Sequence, residues 1–171
     1  INAFRVPPPE GATPEMQPRP ASLRLTYNPT PSRPTLRLPA GACDTHVHVF
    51  GPQLRYPYPD TARFRPADAP RETLFALHDF LGIERCVIVQ SACHGYDNTP
   101  VLDAIGAGSG RYLGVALAPL AVSDDALAAF AAGGIRGIRF NFMRHLAKGA
   151  TPEQIVAFSA RLAEHDLHLQ V

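Results

Sequence analysis

Ala42-Cys43-Asp44-Thr45-His46-Val47-His48-Val49-Phe50 is the stretch on which the fold turns. Its apolar, β-branched texture reads as a strand, and it sets two imidazoles two positions apart, so a regular strand aims both at one face. A doubly wound nucleotide-binding sheet carries a Gly-rich phosphate loop after its first strand, and here His46 and His48 stand in that place. Two neutral imidazoles converging from one strand can share a metal ion or polarise one substrate carbonyl. A buried core has little reason to hold two adjacent polar rings.

Working outward, strands and helices alternate. A Pro-rich, aromatic loop runs from Gly51 to Pro70, and Asp68 then offers an N-cap to a helix with Leu74, Leu77, His78 and Leu81 at helical spacing before Gly82 stops it. Cys86 to Gln90 reads as a buried strand. Asn98-Thr99-Pro100 opens a short helix that ends between Gly106 and Gly110, and Tyr112 to Ala118 is again apolar throughout. Ser123-Asp124-Asp125 caps a third helix closed by Gly133-Gly134, and the strand Ile135 to Phe140 follows. Thr151-Pro152-Glu153-Gln154 has the pattern of a capping box, ahead of a helix with Ile155, Phe158 and Leu162 on one side. Leu167 to Val171 reads as a last apolar segment.

Strands apolar on both faces and alternating with helices predict parallel βαβ units, four of them and the start of a fifth strand. A complete (β/α)8 barrel takes about 250 residues, so 171 residues fit about the first half of one. Residues 1–40 hold more than half of the 18 prolines and read as an extended arm, with 41–171 as the barrel portion.

Composition narrows the partners. A formal net charge of +1, with no block of Lys and Arg interleaved with aromatics, gives no pull toward nucleic acid. No apolar run approaches the roughly 20 residues of a membrane span. Cys43, Cys86 and Cys93 are too few and irregular for a disulfide framework, which predicts a reducing, cytoplasmic setting. The chain begins at Ile1 rather than Met, which leaves room for a removed leader.

Besides the histidine pair, Arg139 and Asn141 fall at the end of the fourth strand, where barrel active sites sit, and Arg139 suits a substrate carboxylate by paired hydrogen bonds. Arg144 and His145 follow in the next loop and could extend that clamp. His94, in the loop after the second strand, is a candidate pocket residue, whereas adjacent Cys93 and His94 point apart and do not suit a nucleophile and its base. Cys86 is expected in the core, Cys43 beneath the histidine pair, and His78 and His165 facing solvent from helices.

Three blocks, Cys43 to Pro52, Val89 to Gly95 and Gly137 to Phe142, together resemble the amidohydrolase superfamily, and within it the 2-pyrone-4,6-dicarboxylate lactonase-like group. The resemblance runs from about Gly41 to Val171 and implies a (β/α)8 TIM barrel hydrolase that opens a carboxylated lactone ring in aromatic-compound degradation. It also implies that His46 and His48 polarise the lactone carbonyl, that Arg139 holds a carboxylate, and that no metal is required. A later histidine and a catalytic aspartate would lie past Val171. His145 stands where a second carboxylate-binding arginine is expected, and Phe64 and Ala92 stand where the group has polar contacts. Two rival expectations remain open: a metal-dependent amidohydrolase or decarboxylase with His46 and His48 as ligands of one divalent cation, Zn or Mn, and an inactive fragment lacking its base.

Overall fold

A computed structural model describes residues 25–142 and 150–171. Five strands form one parallel sheet: β1 (Cys43–Val47), β2 (Arg85–Val89), β3 (Tyr112–Leu117), β4 (Ile135–Arg139) and β5 (His168–Gln170). Four helices connect them: α1 (Arg71–Leu81), α2 (Thr99–Ala107), α3 (Asp124–Ala132) and α4 (Pro152–Glu164). Spatial order equals chain order, β1-β2-β3-β4-β5, and every neighbouring pair is parallel. A doubly wound sheet reverses direction at a switch point and this one does not; with right-handed crossovers, continuous winding puts all the helices on one face. The five strands are therefore an arc of a barrel.

Helix ends follow local chemistry except at the starts of α1 and α2; Asn98, at the start of α2, gives no side-chain cap and instead exchanges hydrogen bonds with the Leu117 backbone. Ser123 Oγ accepts the Ala126 amide, and Thr151 with Gln154 forms the reciprocal capping box. Gly82 closes α1 in the left-handed region at φ 76°. At α1 the residue expected as the cap is Asp68. That helix starts behind Pro70 without a side-chain cap, and Asp68 instead accepts the Gln53 amide and fastens the start of the loop at 51–70. Phe50 and Ala69 exchange backbone hydrogen bonds to close that loop, and Arg55, Tyr56 and Arg71 converge on Asp103 of α2 to hold it down.

The core lies between the sheet and its helices, where Ile88, Ala116, Leu127, Ile138 and Leu162 have no accessible surface. β1 contains the irregularity that matters most for function. Its register with β2 shifts between Asp44 and Val47, so alternation breaks within the strand. Asp44 and Val47 face the helices, whereas His46 projects to the other side, and Cys43, expected to pack beneath the histidines, is exposed. His78 also departs from expectation. It is buried on the sheet-facing side of α1, where its two ring nitrogens meet Tyr112 Oη and Asp44 Oδ2, which makes burial of a neutral imidazole affordable. Among the described residues no helix is long and apolar enough to cross a membrane.

Candidate functional site

The carboxyl ends of β1, β2 and β4 bring the first-strand histidines together with Arg139. His48 immediately follows β1 and is half-buried; its Nδ1 donates to the Val89 carbonyl at the end of β2, at 2.7 Å. The exposed His46 ring stands edge-on to it, centroid to centroid 5.3 Å. Arg139, the last residue of β4, is close enough for its charge to act on His48. Burial first, then the neighbouring His46 and Arg139, hold the His48 imidazolium below its ordinary acidity range, against the opposing pull of the Val89 carbonyl. His48 is thus a neutral ring at pH 7.

Its tautomer follows from elementary chemistry. A carbonyl oxygen only accepts, so the proton of neutral His48 is on Nδ1 and Nε2 carries a bare lone pair. That nitrogen can accept a proton or bind a cation, and it donates nothing while the ring stays neutral.

One wall of the site is aromatic. Phe50 lies 5.9 Å from the His48 ring, and Phe64, from the long loop, meets Phe50 edge-on at 6.3 Å. On β4, Gly137 makes room for the His168 ring of β5, which a Cβ at 137 would meet at 2.5 Å. His168 and Arg139 therefore share the helix-free face, as does Gln170, the register partner of Arg139.

The remaining candidates separate. Asn141 follows Arg139 by two residues and is half-buried. His94 is not grouped with the open pair: it is 2 % exposed, its ring lies 4.7 Å from Tyr58, and neither nitrogen has a hydrogen-bond partner among the described residues. Burial lowers its pKa, with Asp97 opposing. Cys93 beside it is buried with a raised thiol pKa, which suits packing and not nucleophilic attack. Arg144 and His145 lie outside the described residues.

Sequence reasoning passed over Asp44 and read His78 as solvent-facing. Asp44 Oδ1 accepts the His46 backbone amide at 3.2 Å while Oδ2 faces His78 Nε2 at 3.4 Å, so one carboxylate joins the helix layer to the site strand. The signal for it is hidden by the bulge, since simple alternation assigns Asp44 to the side of His46 and His48.

A family profile described as amidohydrolase matches residues 43–171. The chain is similar to the 2-pyrone-4,6-dicarboxylate hydrolase of Comamonas testosteroni, 37 % identical over 147 residues that cover 86 % of this chain and 48 % of the relative. It is also similar to a 4-sulfomuconolactone hydrolase of Hydrogenophaga intermedia, 41 % identical over 105 residues, 61 % of this chain and 35 % of the relative. Two solved structures share the fold. A protein of Acinetobacter baumannii assigned as a 2-pyrone-4,6-dicarboxylic acid hydrolase, with citric acid bound, superposes with a TM-score of 0.66 at 26 % identity, over 75 % of this chain and 48 % of that one. A Pseudomonas putida protein with the same assignment gives 0.63 at 30 % identity, over 77 % and 48 %. The chain spans about half the length of the Comamonas relative and of both solved structures.

Proposed function

The chain belongs to the amidohydrolase family, and on that premise we propose that its protein is a hydrolase that opens the lactone ring of a carboxylated cyclic ester. The observation that carries this reading is the convergence of His46, a neutral His48 of fixed tautomer and Arg139 at the strand ends. The relatives named for lactone hydrolysis support the substrate class.

Lactone opening needs a carbonyl made electrophilic, a water made nucleophilic and a fixed ring. Arg139 supplies a guanidinium fork for a ring carboxylate. The bound citric acid of the Acinetobacter relative is consistent with carboxylate recognition in this fold. Phe50 and Phe64 offer an apolar edge to a flat unsaturated ring. The two histidines divide the remaining work. His46, exposed and without a backbone tie on its ring, is free to donate an N–H to the carbonyl oxygen as negative charge develops there, whereas the bare Nε2 of His48 accepts.

The same bare nitrogen favours a second reading. With Nδ1 tied to Val89, His48 meets the usual requirement for a metal-bound histidine, and His46 beside it supplies a second nitrogen, so the pair fits part of a divalent-cation site. When bound, such an ion would act as a Lewis acid on the lactone carbonyl.

The test uses the full-length protein with 2-pyrone-4,6-dicarboxylate and 4-sulfomuconolactone, following loss of the lactone by absorbance. His46→Ala and His48→Ala should each lower kcat on the order of 10³-fold. Arg139→Met should raise KM about 10- to 100-fold for the carboxylated ring. Near-full turnover in either histidine variant would sink the assignment. Metal content before and after chelation separates the two readings: activity lost with a stoichiometric ion and restored by its return selects the second.

A further inference from the structure

A second group of ligand-type side chains lies on the opposite, helix-covered side of β1. The carboxylate of Asp44, the imidazole of His78 and the thiol of Cys86 place their donor atoms within 4.8 Å of one another. His78 and Cys86 are 1 % and 2 % exposed, and Cys86 forms no disulfide. We infer that Asp44 Oδ2, His78 Nε2 and Cys86 Sγ hold a zinc-like divalent cation, with water as fourth ligand, in a site separate from His46 and His48.

Geometry comes first. Zinc bonds of about 2.0–2.2 Å to nitrogen and oxygen put the edge of a tetrahedral site at roughly 3.3–3.5 Å. The Asp44 Oδ2 to His78 Nε2 separation is 3.4 Å. The Cys86 sulfur lies within 4.8 Å of both of these atoms, and zinc bonds sulfur at the longer distance of about 2.3 Å.

Charge is the second argument. A carboxylate, a thiolate and a neutral imidazole carry two negative charges, which one divalent cation cancels, leaving a neutral buried unit. Without an ion, burial and the nearby Asp44 carboxylate push the Cys86 thiol up to about 12. A coordinating cation removes that proton outright. On binding, Cys86 Sγ releases one proton to solvent, and any proton on His78 Nε2 moves to Nδ1, so the imidazole stays neutral.

The surroundings complete the pattern. A metal-bound histidine is oriented by a hydrogen bond from its other nitrogen, and His78 Nδ1 has Tyr112 Oη at 3.2 Å, itself held by Arg111 Nη2 at 3.1 Å. A groove of about 530 Å³ at the amino end of the sheet, lined by His78, Asp79, Glu84, Arg85 and Arg111, brings solvent up to the His78 side of the cluster. Thiolate with imidazole and carboxylate selects a borderline-soft ion of the zinc type over magnesium or calcium.

Cobalt(II) is the probe, titrated into the full-length, chelator-treated protein while the near-ultraviolet spectrum is followed. One equivalent should produce a thiolate-to-cobalt charge-transfer band that zinc abolishes by displacement. The band should disappear in Cys86→Ser, require at least about tenfold more cobalt in Asp44→Asn or Tyr112→Phe, and persist in the His46→Ala, His48→Ala double variant. Cobalt held by nitrogen ligands at the open site gives no sulfur band, so the two sites are read apart. Cys43→Ser with Cys93→Ser leaves Cys86 as the sole thiol of the 171 residues, and keeps the proposal open to refutation even where changes at Cys86 itself prevent folding. No charge-transfer band in that variant, with native far-ultraviolet dichroism, overturns the proposal, and so does a band that survives in folded Cys86→Ser. Either result leaves Asp44, His78 and Tyr112 as a hydrogen-bond relay only.

Discussion

The two sides of β1 are in opposite physical states. Toward the helices, Val47 and Val49 pack into the main core and Asp44 meets a fully buried His78. Toward the other side, Cys43 and His46 are exposed. The sheet repeats the contrast toward its amino end: Ile88, Ala116 and Ile138 have no accessible surface on the helix side, whereas on the other Leu113 is 40 % exposed and only deeper residues such as Val115 are buried. Burial, and with it most of the folding free energy, is concentrated on the helix side, while unsatisfied donors and lone pairs are left on the side where a ligand can use them. Substitutions should therefore change stability or binding separately, according to side.

The largest separation is expected at Ile138 and its neighbour on the chain, Arg139. Ile138→Ala leaves a cavity in a region with no surface to collapse from, at a cost of about 2–5 kcal/mol in chemical denaturation. Arg139→Met, one residue along, should stay within about 1 kcal/mol of the parent while its effect falls on substrate binding. Equal losses from both would break the contrast.

Acid sharpens it next. His94 is buried with neither ring nitrogen paired among the described residues, and burial holds its pKa below the ordinary 6.5. As pH falls through 6.5 the unfolded chain takes up a proton that the folded chain refuses, so stability is complete above that value and declines below it until the lowered folded pKa is reached. The slope contributed is at most about 1.4 kcal/mol per pH unit. His48 and His78, also lowered by burial, act with the same sign. Urea midpoints between about pH 7.5 and about pH 5.5 should drift less in His94→Phe than in the parent, and an unchanged drift would place the acid response elsewhere.

Local signals anticipated most of the architecture. Strand and helix order, the Ser123 cap, the Thr151 capping box and the Gly82 stop each depend on a few neighbouring residues, and all are found. The pairing of His46 with His48 was readable for the same reason. What failed were inferences that needed contacts distant in sequence. Asp68 has the chemistry of a cap, but the Gln53 amide competes for it across the loop. His78 looks like a solvent-facing helix residue until Tyr112 and Asp44 supply partners 34 positions away in each direction. The bulge after Asp44 leaves no mark in composition, yet it decides which side of the sheet a carboxylate faces.

Leu113 gives the smallest effect and the finest discrimination. It belongs to the helix-free side of β3 and retains 40 % of its surface, next to Val115, which is 1 % exposed on that same side. Alternation makes them equivalents, so the difference in exposure is one of depth along the strand, with Leu113 nearer the amino end. A large apolar residue already in water loses little transfer free energy when replaced, and Leu113→Gln should change stability by no more than about 0.5 kcal/mol in the 171-residue chain. The β-branched neighbour provides the scale, since Val115→Ala should cost about 1–3 kcal/mol by deletion of buried methyl groups. If Leu113→Gln costs as much as Val115→Ala, then that face is covered in solution by protein that removes it from water, and the asymmetry between the two sides of the sheet belongs to the site-bearing strand ends alone.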